Sequence, residues 1–384
     1  MIDQSILRKY GFYTVGSREF LLLKDALYYV NGDRSKINYC IFEQSSLDLD
    51  QDPFPGQSIR DLYRLRAQEL RDQYDYLVLN LSGGPDSMNI LNTFVENNIP
   101  LDEIVNHNSL ASTGTVDGAN NNSDYIYNIR PKITELQKLP NFRTKITIVD
   151  ETQSVQTQLT NTYLSGNENF IQEVGGPNRP TSVGGQSIQY VDHIWKMIRD
   201  GDSVGVISGV DKPTSRILNG KRFLQYTDNL RGKFVEFTIE NQVSAFWEWF
   251  YQGDLRIAHK QCYLLKLFVD AHSQSKYYES FVQQDNTTRS AIYWPSNDGK
   301  NNLKYSYFHN KIYPGLQQNF ITPKDANTLL RPRDNWWLSK LDKKLQKLYS
   351  YGIVSWITDA KLHNQHDVWE ATQVPVFYQK IWLQ

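Results

Sequence analysis

Apolar positions change their spacing several times along the chain, and each change marks a different element. Up to about residue 50, short apolar runs such as Phe20-Leu21-Leu22-Leu23 and Asn38-Tyr39-Cys40-Ile41-Phe42 alternate with polar breaks. That pattern predicts a small α+β lead-in. Asp52-Pro53-Phe54-Pro55-Gly56 is a turn-rich break. Ser58, with Asp61 three residues on, has the form of a capping box, and Ile59, Leu62, Leu65 and Ala67 mark the apolar side of the helix that follows.

From Tyr74 the pattern becomes one of buried strands. Tyr76-Leu77-Val78-Leu79-Asn80-Leu81 is nearly continuous in apolar residues, as a strand covered on both faces requires. A turn at 82–87 leads into Ile90, Leu91, Phe94 and Val95 at helical spacing. Further strands are predicted at 103–105, 145–149 and 203–207. A helix opening near Ser123, with Pro131 inside it, lies between the first two of these. Another, carrying Ile188, Val191, Ile194, Trp195 and Ile198, precedes the last. Strand and helix alternating in this way predict an α/β parallel sheet with right-handed crossovers. Beyond about residue 235 the reading is helical and aromatic, with 246–250 and 264–268 as core segments and Leu338, Leu341, Leu345 and Leu348 at helical spacing. The expected organisation is 1–73 as the α+β lead-in, 74–234 as the α/β core and 235–384 as a mostly helical region.

The turn between the first buried strand and its helix is Ser82-Gly83-Gly84-Pro85-Asp86-Ser87. Glycines let the backbone bend tightly and leave room for a phosphate to approach the N–H groups. The helix start adds partial positive charge, Ser82 and Ser87 offer hydroxyls, and Pro85 is tolerated in the first helical turn. A carboxylate here, Asp86, would repel a polyphosphate unless a cation lay between them, which points to Mg²⁺.

Ser-Gly-Gly-x-Asp-Ser after a strand resembles the PP-loop of the adenine nucleotide alpha-hydrolase superfamily, whose members include asparagine synthetase, GMP synthetase and several base-modifying enzymes. The resemblance covers roughly residues 74–234, and within it the loop matches closely. It implies a Rossmann-like parallel-sheet core with ATP and Mg²⁺ bound at Ser82, Gly83, Gly84, Asp86 and Ser87. It also implies attack at the α-phosphate, with an adenylated intermediate and release of pyrophosphate. The longer Gly-x-x-x-x-Gly-Lys spacing of a Walker A loop is absent from this motif. Family members read adenine and ribose from the end of the second strand, which places Asn106 and Asn108 as ATP-binding candidates; a polar loop explains Asn106-His107-Asn108-Ser109 equally well.

Ser208-Gly209-Val210-Asp211-Lys212-Pro213 follows the last of these strands, with Arg216 close behind. Ligands bind at such strand ends. Lys212 or Arg216 could neutralise charge developing on phosphates, and Asp211 could hold Mg²⁺ or orient the lysine; a strand-end turn with solvated charges is the other reading. Catalytic candidates are therefore Asp86, Asp211, Lys212 and Arg216, and metal candidates Asp86 and Asp211.

Composition narrows the function classes. Lys+Arg total 41 and Asp+Glu 42, so no bulk charge favours nucleic acid, although Lys340, Lys343, Lys344 and Lys347 crowd one predicted helix near Trp336 and Trp337. Cys40 and Cys262 are too few for a disulfide framework and suit a reducing cytoplasm. With no signal-peptide pattern at Met1-Ile2-Asp3-Gln4 and no long apolar run, the expectation is a cytoplasmic chain without a membrane partner. Aromatic residues at 13% exceed what a simple core needs, leaving open a base-stacking or contact surface.

Residue 2 is Ile2, not the cysteine from which asparagine synthetases build a glutaminase, so nitrogen is expected from free ammonia, an amine or a partner. The whole-chain pattern, from Leu62-Tyr63-Arg64-Leu65-Arg66-Ala67 through the loop to Trp336-Trp337, also resembles asparagine-synthetase-like PP-loop proteins of tailed phages, which would place it in the host cytoplasm. What this implies is an amide-forming, ligase-like enzyme acting on an unidentified small-molecule or nucleotide acceptor. Modification of a nucleic-acid base, or non-catalytic nucleotide binding as a scaffold, remain the alternatives. Residues 165–186, with Gly175-Gly176, Gly184-Gly185, Pro177 and Pro180, read as a lid over the acceptor or as a static surface excursion.

Overall fold

The computed structural model describes residues 4–41, 49–108, 110–113, 124–153, 191–209, 212–218, 221–227, 231–271, 311–316, 343 and 378–382. The lead-in forms a three-stranded antiparallel sheet of β1 (Phe12–Val15), β2 (Arg18–Phe20) and β3 (Asn38–Cys40), in the order β2-β1-β3, with helix α1 (Leu23–Tyr29) packed on it. Helix α2 (Ile59–Gln73) opens with the expected box. The Ser58 side chain accepts from the Asp61 N–H at 3.2 Å, and the Ser58 N–H donates to Asp61 Oδ2 at 2.9 Å. Two N–H groups that a helix start leaves without partners are thereby satisfied.

The core is a five-stranded, wholly parallel sheet. Its strands are β4 (Tyr76–Asn80), β5 (Glu103–Asn108), β6 (Lys145–Asp150), β7 (Val204–Ser208) and β10 (Trp247–Trp249), arranged β10-β7-β4-β5-β6. Successive residues point to opposite faces, and each face has its own cover. Leu77, Leu79 and Ile104 pack with α2, with α3 (Pro85–Glu96) and with α4 (Arg130–Leu136). Val78, Val105, Val204 and Val206 pack with α5 (Asp192–Asp200) and α6 (Arg231–Asn241). The chain winds outward from β4 through β5 and β6 with helices on one face, then returns to β7 and β10 with helices on the other. The connections therefore diverge between β4 and β7, and the carboxyl ends of strands at such a point are where open α/β sheets bind ligands.

Two segments differ from the sequence reading. Residues 246–250, read as helical, contain strand β10, paired with β7 through Trp247↔Val206 and Trp249↔Ser208. An apolar run this short has no period that separates strand from helix, and its aromatic residues favour the pleated geometry. The sheet thus takes in residues beyond 234. Likewise β8 (Thr214–Leu218), β9 (Lys221–Thr227) and β11 (Tyr378–Trp382) form an antiparallel sheet in the order β11-β9-β8. The C-terminal region is accordingly mixed: α7 (Leu255–Ala271) is helical, but β10 and β11 are strands. The helix expected near Ser123 begins as a π-helical turn, Asp124–Ile129, before α4. Pro131 sits in the first turn of α4, where its missing N–H costs little.

Glu248, on β10, is 4% exposed and joins three distant parts of the chain. Lys9 Nζ donates to Oε1 at 2.7 Å, Arg66 NH2 donates to Oε2 at 2.9 Å, and the Tyr74 hydroxyl donates to Oε1. The lead-in, α2 and the sheet edge thereby meet on one carboxylate. Among the described residues no helix is long and apolar enough to cross a membrane.

Candidate functional site

The loop after β4 stands at the carboxyl edge of the sheet, where the connections of β4 and β7 diverge. Gly83 takes a left-handed backbone, with φ at +79°. A Cβ there would lie 2.8 Å from Ile129 Cγ1 and 3.0 Å from the Asp124 carbonyl, so conformation and space both require glycine. The π-helical turn presses on the loop at this point, and Asn128 Nδ2 donates to the Gly83 carbonyl at 3.1 Å. Gly84 is the N-cap of α3 and Pro85 its first residue. Ser87 is engaged inside the loop: its Oγ accepts from the Ser82 N–H at 3.2 Å and donates to the Gly84 carbonyl at 3.2 Å. Ser82 is exposed and is the hydroxyl that faces solvent, 3.1 Å from Ser87 Oγ.

Asp86 is the point of convergence. Lys212, from the segment after β7, brings its ammonium to 3.0 Å from Oδ1 and 3.3 Å from Oδ2. The Tyr313 hydroxyl donates to the same carboxylate, and the Tyr251 hydroxyl donates to the Asp86 backbone carbonyl at 2.7 Å. Asn89 Nδ2 in turn donates to the Tyr251 hydroxyl at 3.1 Å. Burial pushes both phenols well above their ordinary range, and the Asp86 charge adds to the effect, so each stays a neutral donor. The Asp86 carboxylate therefore accepts from one buried phenol, Tyr313, and from Lys212, while Tyr251 fixes its backbone carbonyl.

Gly209 makes this convergence possible. A Cβ on it would lie 2.9 Å from both Asp86 C and Ser87 N, which are backbone atoms that cannot yield. We expect Gly209→Ala to push the end of β7 off the start of α3 and to destabilise the fold by about 1–3 kcal/mol, the usual range for overpacking. Urea melts measure this, and an unchanged midpoint would show that this contact has slack.

Asn106 and Asn108 are both buried. Asn106 Nδ2 donates to the Leu81 carbonyl at 2.8 Å, and Asn108 Nδ2 donates to Asn106 Oδ1 at 3.4 Å. These bonds tie β5 to the root of the loop. His107 lies on the opposite face of β5, partly buried rather than solvated, with Nδ1 3.1 Å from Glu151 Oε1. Arg216 is on β8, opposite Phe223. Asp211, residues 165–186 and the lysine-rich stretch apart from Lys343 lie outside the described residues.

Sequence reasoning missed Tyr251, Tyr313 and Asn128. The tyrosines stand 165 and 227 residues from Asp86, and no periodicity or motif spacing carries information over such separations. Among the described residues, no three His, Cys, Asp or Glu side chains gather as a metal cluster. Mg²⁺ does not need one where a nucleotide is present, because one or two carboxylates with phosphate oxygens and waters complete its shell. Asp86, partly exposed at the mouth of the loop, fits that requirement. Comparison with protein-family models, with curated proteins and with solved structures found no match.

Proposed function

We propose that the chain is a PP-loop ATP pyrophosphatase that binds Mg·ATP at residues 82–87 and splits it into AMP and pyrophosphate while adenylating an acceptor. The observation that carries this reading is the meeting of Asp86 and Lys212 at the start of α3, on the sheet edge where the connections diverge. The start of α3 offers partial positive charge to a pyrophosphate, and the glycine backbone allows close approach. Lys212 supplies a point charge that can follow the phosphates.

In this reading the acceptor oxygen attacks the α-phosphorus, the α–β bridging bond breaks, and pyrophosphate leaves with the electron pair. An amine or ammonia then displaces AMP from the activated acceptor. Asp86 would hold Mg²⁺, which neutralises phosphate charge as the bond breaks. Tyr313 and Tyr251 keep the Asp86 carboxylate and backbone in place during this step. Asn106 and Asn108 support the loop from beneath, and Arg216 and Asp211 are left as candidates on the following segment.

The test is product identity. ATP labelled at the α-phosphate is incubated with the protein and a small-molecule cell extract as the source of acceptor, and the products are separated by chromatography. Label in AMP supports the reading, and label in ADP made by the wild type but not by an Asp86 variant rejects it.

A further inference from the structure

Asp86 is the metal candidate, and a lysine ammonium lies against its carboxylate. Lys212 Nζ sits within 3.3 Å of both oxygens. The ammonium weakens Mg²⁺ binding at those oxygens, since two cations a few ångströms apart repel. Tyr313, which donates to the same carboxylate, and Tyr251, which donates to the Asp86 backbone carbonyl, are both 0% exposed. The lysine head, by contrast, ends a four-carbon stem and can relocate. The pair is partly buried, at 19% and 27% side-chain exposure, so salt screens it less than a surface pair.

We propose that Lys212 is a gate which keeps metal off Asp86 until a triphosphate arrives. The proposal rests on the nucleotide reading of the loop. Phosphate oxygens draw the Lys212 ammonium away from Asp86, and the vacated carboxylate takes the metal that accompanies the nucleotide. Tyr313 holds the carboxylate in position during the exchange and is a positioning residue. The consequence is strict coupling: metal and nucleotide bind together, and metal alone binds poorly. Such coupling is reciprocal, so the nucleotide must raise metal affinity by the factor by which metal raises nucleotide affinity.

The experiment uses Mn²⁺ as the probe, with bound and free ion separated by electron paramagnetic resonance, on the full chain with and without the α,β-methylene analogue of ATP. For the wild type we expect weak Mn²⁺ binding alone and much tighter binding with the analogue. Lys212→Met should bind Mn²⁺ alone at least about tenfold more tightly than wild type, because a neighbouring positive charge has gone. Lys212→Arg keeps the charge and should behave as wild type. Tyr313→Phe should bind Mn²⁺ with the analogue less tightly than wild type, which a purely distant structural role would not produce.

Wild-type protein that binds Mn²⁺ equally well with and without the analogue overturns the gate, and that arm needs no variant to fold. A folded Lys212→Met protein with no gain in Mn²⁺ affinity also overturns it. If the wild type binds the analogue with Mn²⁺ but the lysine variant shows no gain, only the gate fails. If the wild type binds no nucleotide at all, the PP-loop reading fails and the gate with it.

Discussion

Replacing Asp86 with alanine is expected to lower the rate of AMP formation by roughly 10²–10³ or more, the loss typical of removing one preorganised electrostatic contact to a developing charge. The carboxylate stands at the mouth of the loop, held by Tyr313 and facing Lys212, so its removal takes away the metal candidate and the partner of the lysine together. Alanine also removes the carboxylate to which the buried Tyr313 hydroxyl donates, and some stability is lost for that reason alone. Asp86→Asn separates the two effects: the amide oxygen still accepts from Tyr313, but the negative charge is gone. Turnover measured beside thermal melts decides the matter. A folded Asp86→Asn protein with near-normal turnover would show that the charge is not needed.

The second large effect concerns the fold rather than the chemistry. Glu248→Ala should destabilise the protein by about 3–5 kcal/mol, because removing one member of a buried ionic cluster leaves the others uncompensated. Arg66, with only 10% side-chain exposure, and Lys9 would both lose their carboxylate. A urea midpoint that implies less than about 1 kcal/mol would contradict this. Burial by itself pushes the Glu248 carboxyl up, but Lys9 and Arg66, with hydrogen bonds from Lys9 and Tyr74, hold it below the usual carboxylate range. A depressed folded value means that this stabilisation is complete above the unfolded carboxyl's titration range and is lost as pH falls through the folded one. Wild-type stability should therefore decline in acid, and Glu248→Gln should flatten the part of that decline due to this group.

How far the molecule could be read in advance depended on whether the signal was local. The capping box at Ser58 and Asp61 is a three-residue signal and appears as expected. Strands β4, β5, β6 and β7 are short apolar runs flanked by turn residues, and all four stand in the parallel sheet. The chain also brings Lys212 to Asp86, because both follow adjacent strands of that sheet at its carboxyl edge.

What escaped was non-local or ambiguous in period. Trp247-Glu248-Trp249 has too few residues to show a strand's alternation, and its buried glutamate makes sense only once Lys9 and Arg66 are placed beside it. Strand β11 pairs with β9 across more than 150 residues, as Tyr378↔Thr227 shows, and such pairings have no signature in either segment. Tyr313 reaches Asp86 in the same way. Asn106 and Asn108 were legible as ATP-binding candidates or as a polar loop, whereas their burial and their bonds to the loop's root depend on the packing of β5 beside β4.

The most direct test of the central claim is which phosphate bridge the protein cleaves. Two ATP analogues are incubated separately with the protein and the same small-molecule extract, and their consumption is followed by phosphorus NMR. One carries a β,γ-imido bridge, which leaves the α–β bond open to cleavage; the other carries an α,β-methylene bridge, which blocks it. The account predicts that the imido analogue is converted to AMP and imidodiphosphate while the methylene analogue survives. Consumption of the methylene analogue with release of orthophosphate, and survival of the imido analogue, would contradict it.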